Sequence, residues 1–267
     1  MNDIPHPLVG LALALVVGFV LGLLGGGGSI LALPIFLYVF LVPVKPAIAM
    51  SLAVVGMSAA IGFLSHWRQG TVHLRIAVPF GLCAMAGAFV TARLARHVPE
   101  QVQLTLFGVF ALTASVMMLR DSLKPRASVG SSGAPSAAAP TPSARFTPFL
   151  ASQALGVGAL TSLIGAGGGF VIVPALVLLA NVPVREAVGS SLLIITMNAT
   201  SGFVGYLGQV PINWPLVGSF TGVAALGAIA GTRLVRHVPQ HRIKQGFAVM
   251  ILVLGTYFAL RKLQVLP

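Results

Sequence analysis

Ten apolar segments punctuate this sequence in two sets of five. The first set is Leu8 to Leu24, Ile30 to Val42, Ala47 to Leu64, Ile76 to Leu94 and Val102 to Leu119. The second is Phe149 to Ile164, Phe170 to Ala180, Val188 to Leu207, Trp214 to Leu234 and Ile243 to Leu260. Most approach the roughly 20 residues that carry an α-helix across a hydrocarbon core of about 30 Å. In lipid no water is present to pair the backbone N–H and C=O groups, so each segment must pair them internally. The expected fold is therefore an all-α polytopic membrane protein. Composition agrees, with 57% hydrophobic and 7% charged residues against roughly 25% charged in a soluble domain.

The two sets keep one register without a gap. Gly25, Gly27, Gly28 and Pro34 return as Gly165, Gly167, Gly168 and Pro174. Ser51 and Leu52 match Ser191 and Leu192, and Gly62, Phe63 and Gln69 match Gly202, Phe203 and Gln209. The run from Arg93 to Pro99, RLARHVP, matches RLVRHVP from Arg233 to Pro239. Between the sets the texture changes to SLKPRASVGSSGAPSAAAPTPSARFTP, a Ser/Ala/Pro-rich stretch without helical periodicity that reads as a linker. The expected division is a first transmembrane repeat over 1–121, a linker over 122–148 and a second repeat over 149–267. The second segment of each half, Ile30 to Val42 and Phe170 to Ala180, is too short to cross comfortably and follows a glycine cluster. Each reads as a broken or re-entrant helix.

The formal net charge of +12 reflects scarce acids, since the carboxylates are only Asp3, Glu100, Asp121 and Glu186. The bases lie in short clusters between apolar runs with no stacking aromatics among them, which argues against a nucleic-acid partner. Lys and Arg collect on the cytoplasmic side of a membrane, and their positions test the topology. If the first two segments of each half form a hairpin, one side holds Arg68, Arg75, Arg120, Lys124, Arg126, Arg145, Arg185, Arg233, Arg236, Arg242 and Lys244. The other side then holds Lys45, Arg93, Arg96, Arg261 and Lys262, a division of eleven against five. If those segments make one broken crossing, the halves run parallel and the same residues divide eight against eight. The uneven division predicts inverted repeats in the plasma (inner) membrane, with the linker cytoplasmic and both termini outside. The N-terminus lacks a basic n-region and a small-residue cleavage site, so the first segment reads as retained. The single cysteine, Cys83, supports neither an intrachain disulfide nor a cysteine metal cluster, and no cofactor or metal is expected.

Two dense glycine clusters at matching positions are the first site candidates: Gly25, Gly26, Gly27, Gly28 and Ser29 in one half, Gly165, Gly167, Gly168 and Gly169 in the other. Glycine allows tight turns and leaves N–H groups uncovered, and the short helix after each cluster would aim its positive end at the break. Two such ends make an anion site that needs no buried cation. The competing reading is close helix packing through small residues. Neither cluster ends in the Lys-Ser/Thr of a nucleotide-binding loop. Polar residues in the third segments are the second candidates, above all Ser51, Ser191 and Asn198, whose hydroxyl and amide donors suit an oxyanion. Most membrane Ser and Thr instead bond neighbouring helices or their own backbone. His66 and Arg68, where the third segment ends beside Trp67, are gate or coupling candidates, weighed against an interfacial anchor.

Taken together, the GGGGS and GAGGGF clusters, the proline-containing segments after them and Val-Pro-Val complete the opening of a pattern. It continues with Lys45-Pro46-Ala47 or Arg185-Glu186-Ala187, a Ser-Leu helix and an Arg-Leu-x-Arg turn. The whole resembles the TauE/SafE family of sulfite exporters across nearly all of the chain except the linker. Pro46 departs from the acidic residue that the second half keeps at Glu186. The resemblance implies transport of sulfite or a related sulfur oxyanion or organosulfonate and fixes neither direction nor substrate; the expected function is a secondary transporter for such a small anion, working in export. An intramembrane enzyme would need a catalytic group at membrane depth, and the apolar segments hold no carboxylate. A membrane assembly or scaffold protein is the alternative, and it would not need matched glycine breaks.

Overall fold

The computed structural model describes residues 7–24, 28–123, 148–178 and 184–234. Gly25, Gly26 and Gly27, most of the linker and the segment Ile243 to Leu260 lie outside the described residues. Among the described residues the regular elements are all helical: α1 Pro7–Leu24, α2 Ser29–Tyr38, α3 Val44–Arg68, α4 Leu74–Leu94, a 3-10 turn Ala95–His97, α5 Glu100–Leu123, α6 Pro148–Ile164, α7 Gly169–Leu178, α8 Val184–Tyr206 and α9 Trp214–Leu234. Each apolar run that is described has become a helix, because uninterrupted apolar sequence in lipid leaves the backbone no other local solution.

Among the described residues, four helices are long and apolar enough to cross a membrane: Val44–Arg68, Leu74–His97, Glu186–Tyr206 and Trp214–Leu234. By contrast α2 and α7 have 10 residues each, or about 15 Å at 1.5 Å per residue, half of a hydrocarbon core. Both contain proline, Pro34 and Pro174, which withholds one N–H from the helix ladder. Two of the long helices end on glycine signals: Gly70 after α3 and Gly208 after α8 carry φ of 67° and 78°, the left-handed turn that closes a helix C-terminus.

α3 and α8 form the central pair. α4 packs on α8 and α9 on α3, α1 lies along α9 and α6 along α4, and α2 and α7 lean on α3 and α8 respectively. Every one of the closest helix pairings joins the first half to the second. Gly62 faces Leu192 and Gly202 faces Leu52, with Gly56 against Ala199 and Thr200 between them. Contacts therefore run up α3 as they run down α8.

The α1–α9 seam depends on missing side chains. A Cβ on Gly18 or Gly22 would run into the carbonyl oxygens of Ala224 and Ala228, and one on Gly227 or Gly231 into those of Leu15 and Phe19. These are two GxxxG pairs facing each other, and the α4–α6 seam repeats the device, with Gly158 on the Ala84 backbone and Gly87 on that of Leu155. Packing through backbone approach is the expected source of cohesion where lipid is as apolar as the side chains. The outer surfaces carry exposed Leu15, Leu82, Val109 and Leu226, while Trp67 and Trp214, also exposed, stand at helix ends, where aromatic rings anchor a membrane interface.

Candidate functional site

The second glycine cluster forms a tight turn between α6 and α7. Gly165, Gly167 and Gly168 have φ of 69°, 61° and 81°, a region that residues with a Cβ avoid. The Ala166 N–H donates back to the Thr161 carbonyl at 3.2 Å, and the N–H groups of Val171 and Ile172 each donate to the Gly168 carbonyl at 3.0 Å, which starts α7. The turn is held from both central helices. From α3, the Ser51 hydroxyl lies 2.8 Å from the carbonyls of both Ile48 and Gly165, sharing its proton between its own helix and the turn. From α8, Asn198 Nδ2 donates to Thr161 Oγ1 at 2.8 Å and reaches the Gly167 carbonyl at 3.5 Å.

The first break meets the second here. A side chain added at Gly167 would begin 2.5 Å from Val55 Cγ1 and 3.5 Å from the Cβ of Ser29, the first residue of α2. Gly28 precedes it, accepting from the Leu31 N–H at 3.1 Å. The N-terminus of α2 thus lies against the turn that opens α7 with Gly169, and both sit midway along α3 and α8. Ser29, Ser51, Gly165, Gly167, Gly168 and Asn198 share this one place. Gly25, Gly26 and Gly27 lie outside the described residues. Ser191 occupies on α8 the position of Ser51 on α3, and its hydroxyl likewise donates to a carbonyl three residues back, Val188, at 2.8 Å.

His66 and Arg68 are not at the breaks. His66 is buried at the end of α3, its Nδ1 3.0 Å from Thr71 Oγ1, whereas Arg68 is exposed. Of the other polar residues in the third segments, Thr196 donates to the Leu192 carbonyl of its own helix at 2.7 Å.

Several polar groups around the site are incomplete. Asn198 Oδ1, Ser58 Oγ and Ser162 Oγ are buried without hydrogen-bond partners. A buried polar atom left unpaired costs about 1–3 kcal/mol, so each of these atoms calls for a partner, whether an ordered water or a ligand. Ser58 and Asn198 occupy the same register position in the two halves, a match legible in the sequence once the offset is applied.

Sequence reasoning missed four further groups. Thr161 orients Asn198, while Ser162 lies one turn before the break. Gln103 on α5 and Tyr206 at the end of α8 are both buried. It also missed a link near one surface, where His73 Nδ1 lies 3.1 Å from Glu186 Oε2 and the His73 N–H donates to Ser190 Oγ at 2.8 Å. The link joins the loop before α4 to the start of α8.

Comparison with known proteins follows the same outline. The sequence model of the family described as "Sulfite exporter TauE/SafE" matches residues 10–258. A "Probable membrane transporter protein" of Xylella fastidiosa strain Temecula1 is 35% identical over 248 residues, covering 90% of this chain and 90% of its own length. The Bacillus subtilis "Probable membrane transporter protein YdhB" is 24% identical over 89% of this chain and 94% of its own. A Methanocaldococcus jannaschii protein named "Probable membrane transporter protein MJ0441" is 27% identical over 74% of this chain and 72% of its own. No solved structure matches at comparable significance.

Proposed function

The chain belongs to the TauE/SafE sulfite exporter family, and from that membership we propose that it is a secondary transporter that binds a small oxyanion where its two glycine breaks meet. Its substrate is sulfite or a related sulfur oxyanion or organosulfonate, moved outward across the plasma (inner) membrane without a chemical step. The observation that carries this reading is the approach of Ser29, opening α2, to Gly167, in the turn that opens α7. Two helix N-termini brought close together supply N–H donors and two positive dipole ends, which attract an anion with no buried base to neutralise when the site is empty. Glycine keeps the approach clear. Ser51 and Asn198 hold the turn with their own donors, and the unpaired Asn198 Oδ1, an acceptor, suits a water that travels with the anion or the proton of a protonated oxyanion.

We also read the two halves as inverted repeats, so that one half closes toward each side of the membrane. Two observations support this. The matched pairs Gly62–Leu192 and Leu52–Gly202 exchange with one another under the repeat register while running in opposite directions on α3 and α8. The His73–Glu186 contact brings together the starts of α4 and α8, which the inverted arrangement puts on one side and the parallel arrangement on opposite sides.

The test is flux of sulfite into and out of proteoliposomes containing the purified chain, with thiosulfate and taurine as competitors and chloride as control. Saturable sulfite flux above that of empty liposomes is expected. Absence of flux with all three sulfur compounds overturns the proposal.

A further inference from the structure

Beside the breaks lies a polar group that the site above does not use. Gln103, Ser162 and Tyr206 come from α5, α6 and α8, and their relative exposures are 1%, 0% and 1%. The Tyr206 hydroxyl donates to the Ser162 carbonyl at 3.4 Å, and the Gln103 carboxamide lies beside that hydroxyl. Neither the Gln103 amide oxygen nor its nitrogen completes a hydrogen bond of proper distance and angle, and the Ser162 hydroxyl has no partner either. That hydroxyl instead faces the bare backbone of Gly202, one turn before Tyr206 on α8. Helical side chains lean toward their own N-terminus, so the Tyr206 ring reaches back from the end of α8 toward the break. A buried Ser162 hydroxyl without a partner and a Gln103 amide that meets only the Tyr206 hydroxyl, short of full hydrogen-bond geometry, are hard to account for by packing, since apolar residues of the same shape would fill the place at lower cost.

We infer that Gln103, Ser162 and Tyr206 form a second polar station for the transported oxyanion, between the glycine breaks and the end of the molecule where α8 finishes. The inference rests on the transport reading above. Its chemistry is that of neutral donors, the Gln103 amide N–H pair, the Ser162 hydroxyl and the Tyr206 hydroxyl, whose long 3.4 Å bond to the Ser162 carbonyl gives way to a charged ligand, with no base to trap an anion that must leave. The station belongs to one side only. At the opposite end of the central pair the repeat register puts Gly22 and His66 in the places of Ser162 and Tyr206, and His66 bonds Thr71 instead. A one-sided station gives two otherwise matched halves different affinities, and in the proposed orientation it lies on the outward path.

The test uses Gln103→Leu and Tyr206→Phe in the full chain, with sulfite as the probe. Half-saturation is measured from each face in right-side-out and inside-out vesicles, alongside melting temperature. Each variant should raise the half-saturation concentration about tenfold from the Tyr206 face, the loss of one hydrogen bond to a charged ligand, and leave the other face unchanged. Gln103→Leu should melt at the same temperature or higher, because it removes unpaired amide atoms from the interior. Saturation that stays as in the wild type from both faces, or that changes equally from both, overturns the station while leaving the transport reading intact. A lower melting temperature for Gln103→Leu with unchanged saturation in Tyr206→Phe overturns it as well. A wild-type chain that moves no sulfite fails the transport reading first, and the station with it.

Discussion

At Gly167 the backbone is held at a φ of 61°, with Val55 Cγ1 2.5 Å from where a side chain would start. Left-handed backbone costs a side-chain-bearing residue about 1–3 kcal/mol, and here the added atoms would also run into Val55 and press on Ser29 at the start of α2. Gly167→Leu should therefore abolish sulfite flux while the protein still reaches the membrane. Gly222→Ala, on an exposed face of α9 with nothing within 4 Å, should keep flux and gain up to about 1 kcal/mol of helix propensity. Equal flux in the two variants would remove the turn from the site. Asn198 supports a second comparison. Asn198→Ala deletes the donor to Thr161 Oγ1 and should lower the rate at subsaturating sulfite about tenfold, the worth of one hydrogen bond to a charged ligand or its holder. Asn198→Ser restores the residue found at the matching position, Ser58, and should recover part of that loss. No difference between Ala and Ser would mean that the amide acts only by its bulk.

Between elements, cohesion comes from backbones in direct approach and hardly from charge. Gly18 on α1 has no room for a Cβ beside the Ala224 carbonyl, whereas Gly156 on α6 opens onto unoccupied space. Gly18→Leu should push α1 off α9 and destabilise the fold by about 1–3 kcal/mol or more, as overpacking does. Gly156→Leu should be nearly neutral, and thermal unfolding in detergent compares the two. The His73–Glu186 pair sits with 39% and 40% of its side chains exposed, where solvent screening reduces an ion pair to about 0–1 kcal/mol. Glu186→Gln should therefore leave the melting temperature nearly unchanged. A fall as large as that of Gly18→Leu would mean that the pair, and not the seams, ties the halves together.

For the whole molecule, the proposed inversion of the halves would fix which loops share a side. With Cys83 changed to Ala, a cysteine at Ser136 should react only with reagents that reach the cytoplasm, and one at Asn2 from outside; labelling from one and the same side would favour parallel repeats. The acids also bear on the driving force. Glu100 and Glu186 stand in the first turns of α5 and α8, so neither of these two carboxylates lies at the breaks to act in the carboxylate relay of a proton-driven transporter. An anion leaving a negative interior gains about 2.3 kcal/mol per elementary charge per 100 mV, or nearly fiftyfold accumulation. Export should follow the membrane potential with no obligatory proton. Uphill sulfite accumulation driven by a pH gradient at clamped zero potential, and lost in His66→Ala, would replace that expectation with coupling through His66.

Membrane residence, the helical segments and the two short helices were legible in the sequence, because they follow from segment length and apolar content, which are local quantities. The register between the halves was legible for the same reason, as identity at a fixed offset. That register already matched Ser58 with Asn198 and His66 with Tyr206, but nothing in a linear string distinguished these pairs from any other polar residues in apolar helices. Burial decides which polar atoms lack partners, and burial is set by neighbours far apart in the chain. Gln103 looked like an ordinary polar residue in the first turn of a helix until α5 packed beside α6 and Tyr206 came against it. Likewise the glycine clusters could be read either as packing seams or as a site. The sequence by itself determined that the backbone could bend sharply at those positions. Only the tertiary structure decided that Gly18, Gly22, Gly227 and Gly231 serve close packing while Gly167 meets Ser29 at the centre, because that difference depends on what each bare Cα faces.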